Sequence, residues 1–212
     1  MKRILVTQRI IRNETYPEER DALDVRWGGF LRSAGLLPLL VPSGIPVGEF
    51  LEGLSFDGLL LTGGNDLGHL GGDELSCRRD ELEFELLRRV SGMGLPILGV
   101  CRGQQVIAHA HGLPVAPLAG HVGVRHRIEV DRRSRWLGHL AGVEVNSYHS
   151  AGVGGAIAGF LPGARASDGS IESIEHETAS LLGIMWHPER EVYARPQELG
   201  LFRRFFGTEA QP

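Results

Sequence analysis

The sequence predicts an α/β fold: a doubly wound, mostly parallel sheet with helices on both faces. Two observations carry this prediction. In the first half of the chain, short apolar segments typical of buried strands alternate with segments whose apolar residues recur at helical spacing. Glycine and proline residues separate these segments, as expected of short turns between strands and helices. In sheets of this kind, binding sites form beyond the carboxyl ends of the strands.

The individual elements of the first half follow from the same patterns. Apolar runs predict strands at residues 3–7, 37–41, 57–62 and 95–98. Helical spacing predicts helices at residues 19–34, 47–54, 78–93 and 106–111. The polar residues 8–17 predict a loop between the first strand and the first helix.

The second half of the chain has a different pattern. Residues 115–130 alternate between polar and apolar, and further short strands are expected at 143–147, 164–166, 170–175 and 181–186, partly as hairpins. A last helix is expected from Pro196 to Phe206, because proline favours the first helical turn and Gly207 follows as a stop. No repeat or linker interrupts the chain, so residues 1–212 are expected to form one domain.

Composition excludes several classes of partner. The net charge of -4 and the 23% of charged residues give no case for a nucleic-acid or membrane partner. The first apolar run ends at Thr7, too early for a signal peptide, and no apolar stretch reaches the length of a membrane span. Cys77 and Cys101 lie far apart and predict no disulfide framework. A cytoplasmic location is therefore expected, since unpaired cysteines suit a reducing cytosol.

Cys101 lies between two glycines where a predicted strand turns into a predicted helix. The tight turn requires small neighbours, and Gly99 and Gly103 stand two residues before and two residues after it. Such a corner places the sulfur at a helix N-terminus, whose partial positive charge favours thiolate over thiol. The pattern indicates a cysteine nucleophile; an inert buried cysteine is the less favoured alternative.

A second segment supplies a base for that cysteine. A thiolate that attacks an amide needs a group to carry the proton of the leaving amine, and a further group to orient that base. Pro188 favours an extended His187, so that His187 and Glu189, two residues apart, share one face. Alone, this segment would fit a surface loop equally well, but the cysteine corner favours the catalytic interpretation.

An acyl-transfer site also requires donors for the oxyanion. The backbone N–H of Arg102 is one candidate, because it opens the helix after Cys101. Gly63-Gly64 follows a neighbouring predicted strand and lets a second backbone N–H come close, although an ordinary turn has the same sequence.

The sequence predicts neither a cofactor nor a metal site. It contains no GxGxxG after a strand, no Walker A lysine, no HExxH and no CxxC pair. His109 and His111, two apart on a predicted helix, diverge. Four other histidines are interpreted as surface or polar-network residues: His121, His126, His139 and His176.

Together these segments resemble the class I glutamine amidotransferase superfamily. Residues 101–103 and 146–149 are most similar to its γ-glutamyl hydrolase branch, peptidase family C26. The resemblance implies a flavodoxin-like fold, a small γ-glutamyl substrate, Cys101 as nucleophile, His187 as base and Glu189 as its orienting partner. It also implies Gly64 and Arg102 as oxyanion donors, and contacts to the glutamyl group from Gln105, Asn146, Ser147, Tyr148 and His149.

The first fifty residues are more similar to a small group of hydrolases from bacterial capsule clusters, through residues 7–9, 20–24 and 26–27. This resemblance implies a leaving amine that carries phosphate, and Arg9 and Arg12 are the expected contacts because arginine suits bidentate phosphate binding. Two other functions remain open: a γ-glutamyl-aminobutyrate-type hydrolase, and a glutaminase that serves a separate synthase and would share every catalytic residue. A homodimer also remains open. A non-catalytic glutamyl-binding protein is disfavoured, because Cys101, His187 and Glu189 are all present.

Overall fold

Eleven strands within residues 1–208, the part of the chain that the computed structural model describes, form one mixed sheet, and two more form a separate hairpin. The strands are β1 (Lys2–Val6), β2 (Arg9–Arg12), β3 (Glu19–Ala22), β4 (Leu36–Leu40), β5 (Gly58–Leu61), β6 (Ile97–Val100), β7 (Val115–Pro117), β8 (Val122–Val130), β9 (Glu144–Tyr148), β10 (Ala151–Val153), β11 (Phe160–Ala166), β12 (Ile171–His176) and β13 (Leu181–Ile184). The helices are α1 (Arg26–Ser33), α2 (Val47–Leu51), α3 (Glu74–Gly92), α4 (Arg102–Ala110) and α5 (Pro196–Phe206).

The sheet has a parallel half and an antiparallel half. Strands β4, β1, β5, β6 and β13 pair in that order, and every pairing among them is parallel. This is the strand order of flavodoxin-like folds. The sheet continues through β12, β11, β8 and β9, all antiparallel. The expected α/β class with a doubly wound sheet is confirmed.

Helices cover both faces of the sheet, as expected. On one face, α1 and α5 bury a cluster that includes Trp27, Phe30 and Phe202. On the other face, α3 and α4 bury Leu86 and Val106 among the apolar residues of β5 and β6. None of the helices within residues 1–208 combines the length and the apolarity that crossing a membrane requires.

The largest departure from the sequence prediction lies before α1. The expected loop at 8–17 and the first part of the expected helix at 19–34 form the hairpin β2–β3 instead. Ile10 is buried in this hairpin, and Arg12 lies opposite Glu19, so that opposite charges face each other across the strands. The helix begins only at Arg26, whose backbone N–H is bound by the Asp24 carboxylate. In contrast, the last helix has the predicted bounds and ends at Gly207.

Candidate active site

Cys101 occupies a sharp corner between β6 and α4. Its φ of 53° lies in the left-handed region, which costs a non-glycine residue about 1–3 kcal/mol. Both flanking glycines are required by close backbone contacts. A Cβ on Gly99 would lie 2.4 Å from the Gly103 carbonyl carbon, and a Cβ on Gly103 would lie 2.2 Å from the Leu61 oxygen. The corner is therefore held by packing of α4 against β5 and β6.

His187 and Glu189 follow β13, the strand beside β6. The N–H at Nδ1 of His187 donates to Glu189 Oε1 over 2.7 Å, and both side chains are buried. Burial opposes a charge on His187, but the charge of the Cys101 sulfur, a hydrogen bond to it and the Glu189 carboxylate outweigh burial and raise the pKa of His187 to about 9. The histidine is therefore an imidazolium at neutral pH, next to Cys101.

Gly63 lies against both His187 and Cys101. A Cβ on Gly63 would lie 2.6 Å from His187 Cε1 and 3.6 Å from Cys101 Cβ. The ends of β5, β6 and β13 thus bring Gly63, Cys101 and His187 together, and their roles in catalysis stay predictions.

Asn146 and Ser147 lie next to the site but do not line it. The Asn146 amide clamps the backbone of His187, because its Nδ2 donates to the His187 oxygen and its Oδ1 accepts from the His187 N–H, each over 2.8 Å. Ser147 is fully buried, and its hydroxyl donates to the His121 carbonyl over 2.7 Å. Asn146 therefore positions His187, and its expected contact with a glutamyl group stays a prediction.

Arg79 organises the segment after β5, a role that sequence reasoning missed. Its fully buried guanidinium donates to the carbonyls of Thr62, Gly63 and Gly64 over 2.8, 3.1 and 2.6 Å. Burial lowers the pKa of Arg79 to about 10, so it remains charged at neutral pH. Within residues 1–208, the N–H groups of Gly64 and Arg102 donate no hydrogen bond. Two backbone donors therefore stand free at this end of the sheet, one after β5 and one after β6, directly next to Cys101.

Arg79 belongs to a buried network of charges beneath the site. Arg79 Nε donates to Glu83 Oε1 over 3.0 Å, and the side chain of Arg102 pairs with both Glu83 and Asp80. Asp80 in turn accepts the Gly68 N–H over 2.8 Å. The one signal in the sequence is a cluster of charges on the core-facing side of α3, where apolar residues are the norm.

Two adjoining clefts open at these strand ends. The cysteine cleft, about 310 Å³, is lined by Cys101, Gln105, Tyr148 and His149 together with Gly64 and the Arg102 segment. The hairpin cleft, about 350 Å³, is lined by residues of β2, β3 and α1, including Ile11, Ala22 and Trp27. Arg9, His187 and Arg190 line both clefts. Each volume is at the lower end of the range for small-molecule sites.

Gln105 and His149 both line the cysteine cleft, and both contact the carbonyl of Ala151. Gln105 Nε2 donates to the Ala151 carbonyl over 3.0 Å, and His149 Nδ1 lies 3.2 Å from the same oxygen. Tyr148 lies under Arg190, whose guanidinium carbon is 5.0 Å from the centre of the ring. Arg190 directly follows the His-Pro-Glu segment and was not predicted to be a site residue.

Of the two arginines expected to contact the leaving group, the structure brings one to the clefts. The Arg9 guanidinium lies over Gly64, where a Cβ would stand 2.2 Å from Nη2, and it makes no hydrogen bond or ion pair with any residue in 1–208. Arg12 lines neither cleft and pairs with Glu19 and Glu74 at 2.8 and 3.6 Å. The difference arises because Arg9 opens the hairpin strand that Arg12 ends.

Comparison with known proteins assigns the chain to a family. The model of the peptidase C26 family matches residues 6–189, from β1 to Glu189. The chain belongs to the peptidase C26 family. This C26 protein is thus a hydrolase of the glutamine amidotransferase type, as the sequence analysis expected.

Two relatives of this C26 protein carry different named activities. It is 29% identical to a γ-glutamyl-CDP-amidate hydrolase of Campylobacter jejuni, over 88% of this chain and 89% of that protein. It is 32% identical to one subunit of a glutamine-hydrolysing GMP synthase of Methanosarcina barkeri, over 76% of this chain and 78% of that protein.

Two solved structures share the fold. The C26 protein superposes with a TM-score of 0.74 on a candidate GMP synthase subunit of Thermoplasma acidophilum, at 22% identity over 98% of this chain and 93% of that one. A glutamine amidotransferase of Thermotoga maritima gives a TM-score of 0.68 at 14% identity, over 97% and 98%.

Proposed function

We propose that this protein hydrolyses a γ-glutamyl amide through a cysteinyl thioester, releasing glutamate and an amine. The observation that carries the proposal is the meeting of Cys101, His187 and Glu189 at the carboxyl ends of adjacent strands. The unbound N–H groups of Gly64 and Arg102 support it, because an oxyanion forming between them would gain two donors.

The charge states suggest how the steps follow one another. The Cys101 thiolate attacks the γ-carbonyl carbon, and the oxygen takes up the negative charge. As the tetrahedral intermediate collapses, the C–N bond breaks and the His187 imidazolium gives its proton to the departing nitrogen. The thioester leaves Cys101 uncharged, which removes the largest influence that raises the pKa of His187. The now neutral imidazole accepts a proton from water, which attacks the thioester, releases glutamate and restores the thiolate–imidazolium pair.

We assign the glutamyl group to the cysteine cleft and the leaving amine to the hairpin cleft. Gln105 and His149 line the cysteine cleft, and Arg9 and Arg190 bring cations to the boundary between the clefts. Arginine is suited to phosphate, and the Campylobacter jejuni relative is a γ-glutamyl-CDP-amidate hydrolase. We therefore propose a phosphate-bearing leaving group, with γ-glutamyl-CDP-amidate as the first compound to test.

A glutaminase that works with a separate synthase is the second candidate. The 32% identity to the Methanosarcina barkeri GMP synthase subunit, over 76% of the chain, favours it. In that role the protein would pass ammonia to its synthase partner. The same cysteine, histidine and glutamate would serve both reactions, so only the substrate and the partner distinguish them.

The decisive experiment measures glutamate release from γ-glutamyl-CDP-amidate, γ-glutamyl-aminobutyrate and glutamine, with kcat/KM determined for each. Cys101→Ser serves as the control and should remove nearly all turnover while preserving the fold by circular dichroism. Highest efficiency on the CDP-amidate supports the full proposal. Highest efficiency on glutamine assigns the glutaminase function, and wild-type rates in Cys101→Ser would refute the mechanism.

A further inference from the structure

Three histidines surround one buried glutamate in the antiparallel half of the sheet. Glu172 lies on β12 and is fully buried, and His126 lies on β8, on the other side of β11 in the strand order. His121 directly precedes β8 and His149 directly follows β9, and both are buried. The cluster is therefore built from three strands that are distant in sequence.

A β-bulge brings the first two histidines to one side of the sheet. His121 and His126 are five residues apart, an odd spacing that places side chains on opposite faces of a regular strand. The pairing of β8 with β9 shifts register between Val122 and Val124, and Gly123 between them has a φ of 70°. The extra residue reverses the alternation, so that both imidazoles face Glu172.

The separations between Glu172 and the three histidines match those between neighbouring ligands of a tetrahedral metal ion. His121 Nδ1 lies 3.2 Å from Glu172 Oε1, and His126 Nε2 lies 3.3 Å from Glu172 Oε2. His149 Nε2 lies 3.5 Å from Oε1. Metal–ligand bonds of about 2.0–2.2 Å at tetrahedral angles put donor atoms about 3.3–3.6 Å apart. The donor atoms of His121, His126 and Glu172 all lie within 4.8 Å of one another.

Most polar atoms at the centre of the cluster make no hydrogen bond of good geometry. Among the described residues, neither oxygen of Glu172 has such a bond, and the same holds for Nε2 of His126 and of His149. The carboxylate is held only by ion-pair contacts of 3.2–3.5 Å to the imidazoles, and a cation bound between these groups would satisfy their lone pairs.

A second carboxylate, that of Asp168, contacts the other ring nitrogen of His121. His121 Nε2 lies 2.9 Å from Asp168 Oδ2, on the side of the ring away from Glu172. Metal-binding histidines commonly donate their other ring N–H to a carboxylate, which fixes the tautomer and turns the free lone pair towards the metal. His149 has the equivalent arrangement, with Nδ1 at the Ala151 carbonyl and Nε2 towards the cluster.

We propose that His121, His126 and Glu172, with His149 as the fourth donor, form a structural site for a divalent transition-metal cation, Zn²⁺ in the first instance. Imidazole and carboxylate donors in a buried, four-coordinate arrangement suit Zn²⁺. The site joins β8, β9 and β12. It also adjoins the cysteine cleft, because His149 lines that cleft and shares the Ala151 carbonyl with Gln105.

The competing explanation is that protons alone hold the cluster, with imidazolium groups around Glu172 and no metal. Direct metal measurements separate the two, and they do not depend on the substrate or on activity. The first experiment determines the metal content of protein purified from zinc-supplemented cells and dialysed against zinc-free buffer. One zinc per chain is expected. After removal of the metal by a chelator, added Co²⁺ should give the visible absorption of a tetrahedral site.

The second experiment compares variants by the shift in Tm that Zn²⁺ produces in the metal-free protein. The wild type and the control His109→Ala, whose ring stacks on His69 outside the cluster, should be stabilised equally. Glu172→Gln and His126→Ala should lose the shift. Asp168→Asn, at a half-exposed position, should bind Zn²⁺ about 10–100-fold more weakly.

His126→Ala keeps the test meaningful if Glu172→Gln does not fold, because His126 is only partly buried. The proposal is overturned if the purified protein holds no metal and Zn²⁺ shifts the Tm of the wild type no more than that of His126→Ala.

Discussion

At the scale of single residues, the charge on His187 is set by its neighbours rather than by its exposure. Burial alone would keep the imidazole neutral, but the Cys101 sulfur and Glu189 raise its pKa to about 9. Since the unfolded value is about 6.5, this proton stabilises the folded state fully below about pH 6.5, and the contribution is lost as the pH rises through about 9.

We expect His187→Ala to lower kcat about 10²–10⁴-fold, the usual contribution of a general acid or base, and Glu189→Gln to lower it less. Because His187 contacts the Cys101 sulfur, alkylation of Cys101 by iodoacetamide near neutral pH should slow in His187→Ala. Mass spectrometry of the two cysteines measures this, and the exposed Cys77 is the internal control. An unchanged rate of Cys101 alkylation in His187→Ala would contradict a role for this contact.

Arg9 and Arg12 form a natural pair for testing the leaving-group cleft. Both lie on β2, but only Arg9 lines the clefts, and Arg12 is occupied by two glutamates. Arg9→Ala should raise KM for a phosphate-bearing γ-glutamyl amide by about tenfold or more, as expected for a lost charge-assisted contact, with little effect on γ-glutamyl-aminobutyrate. Arg12→Ala should leave both substrates unaffected. Equal effects of the two substitutions would remove the basis for an anionic leaving group.

At the scale of elements, α3 stabilises the site through charged side chains on its buried face. Its N-terminus is capped by Asp73, which accepts the Ser76 N–H over 2.9 Å, and its inward face carries Arg79 and Glu83. Arg79 binds the backbone of the segment after β5, and Glu83 pairs with the side chain of Arg102 at the corner after β6.

Breaking this network should therefore destabilise the fold. We expect Glu83→Gln, which leaves Arg79 and Arg102 without their shared carboxylate, to lower the free energy of unfolding by about 3–5 kcal/mol. Glu81→Gln, exposed on the same helix, should change it by less than about 0.5 kcal/mol. Urea denaturation measures both, and similar values for the two variants would show that the buried pairs contribute little.

At the scale of the whole molecule, the site exists because three parallel strands end side by side. Gly103 is the point where α4 meets β5, since a Cβ there would lie 2.2 Å from the Leu61 oxygen. Any displacement of α4 would move Cys101 relative to Gly63 and His187.

Gly103→Ala should consequently destabilise the protein, and the variant that remains folded should lose activity. Gly92→Ala is the matched control, because Gly92 ends α3 with nothing within 4 Å of a Cβ. Alanine there should stabilise the helix by about 0.5–1 kcal/mol. Thermal unfolding distinguishes the two, and a stable, fully active Gly103→Ala would contradict the packing argument.

Sequence alone determined the parts of this protein that depend on local rules. The strand–corner–helix around Cys101, the pairing of His187 with Glu189 across one proline and the bounds of the last helix follow from spacing, from small residues and from proline at a first turn. These features involve residues close together in the chain, so their physical causes are visible in the sequence.

Tertiary structure decided what depends on residues far apart. The hairpin β2–β3 was predicted as a loop and a helix, because its stability comes from pairing and from burial of Ile10 rather than from a long periodic pattern. The network around Arg79 and the cluster around Glu172 likewise join residues from separate elements. His121 and His126 both face the Glu172 carboxylate because a bulge at Gly123 reverses the alternation of side chains along β8. No local pattern in the sequence specifies that the fold will bring Glu172 of β12 to these histidines.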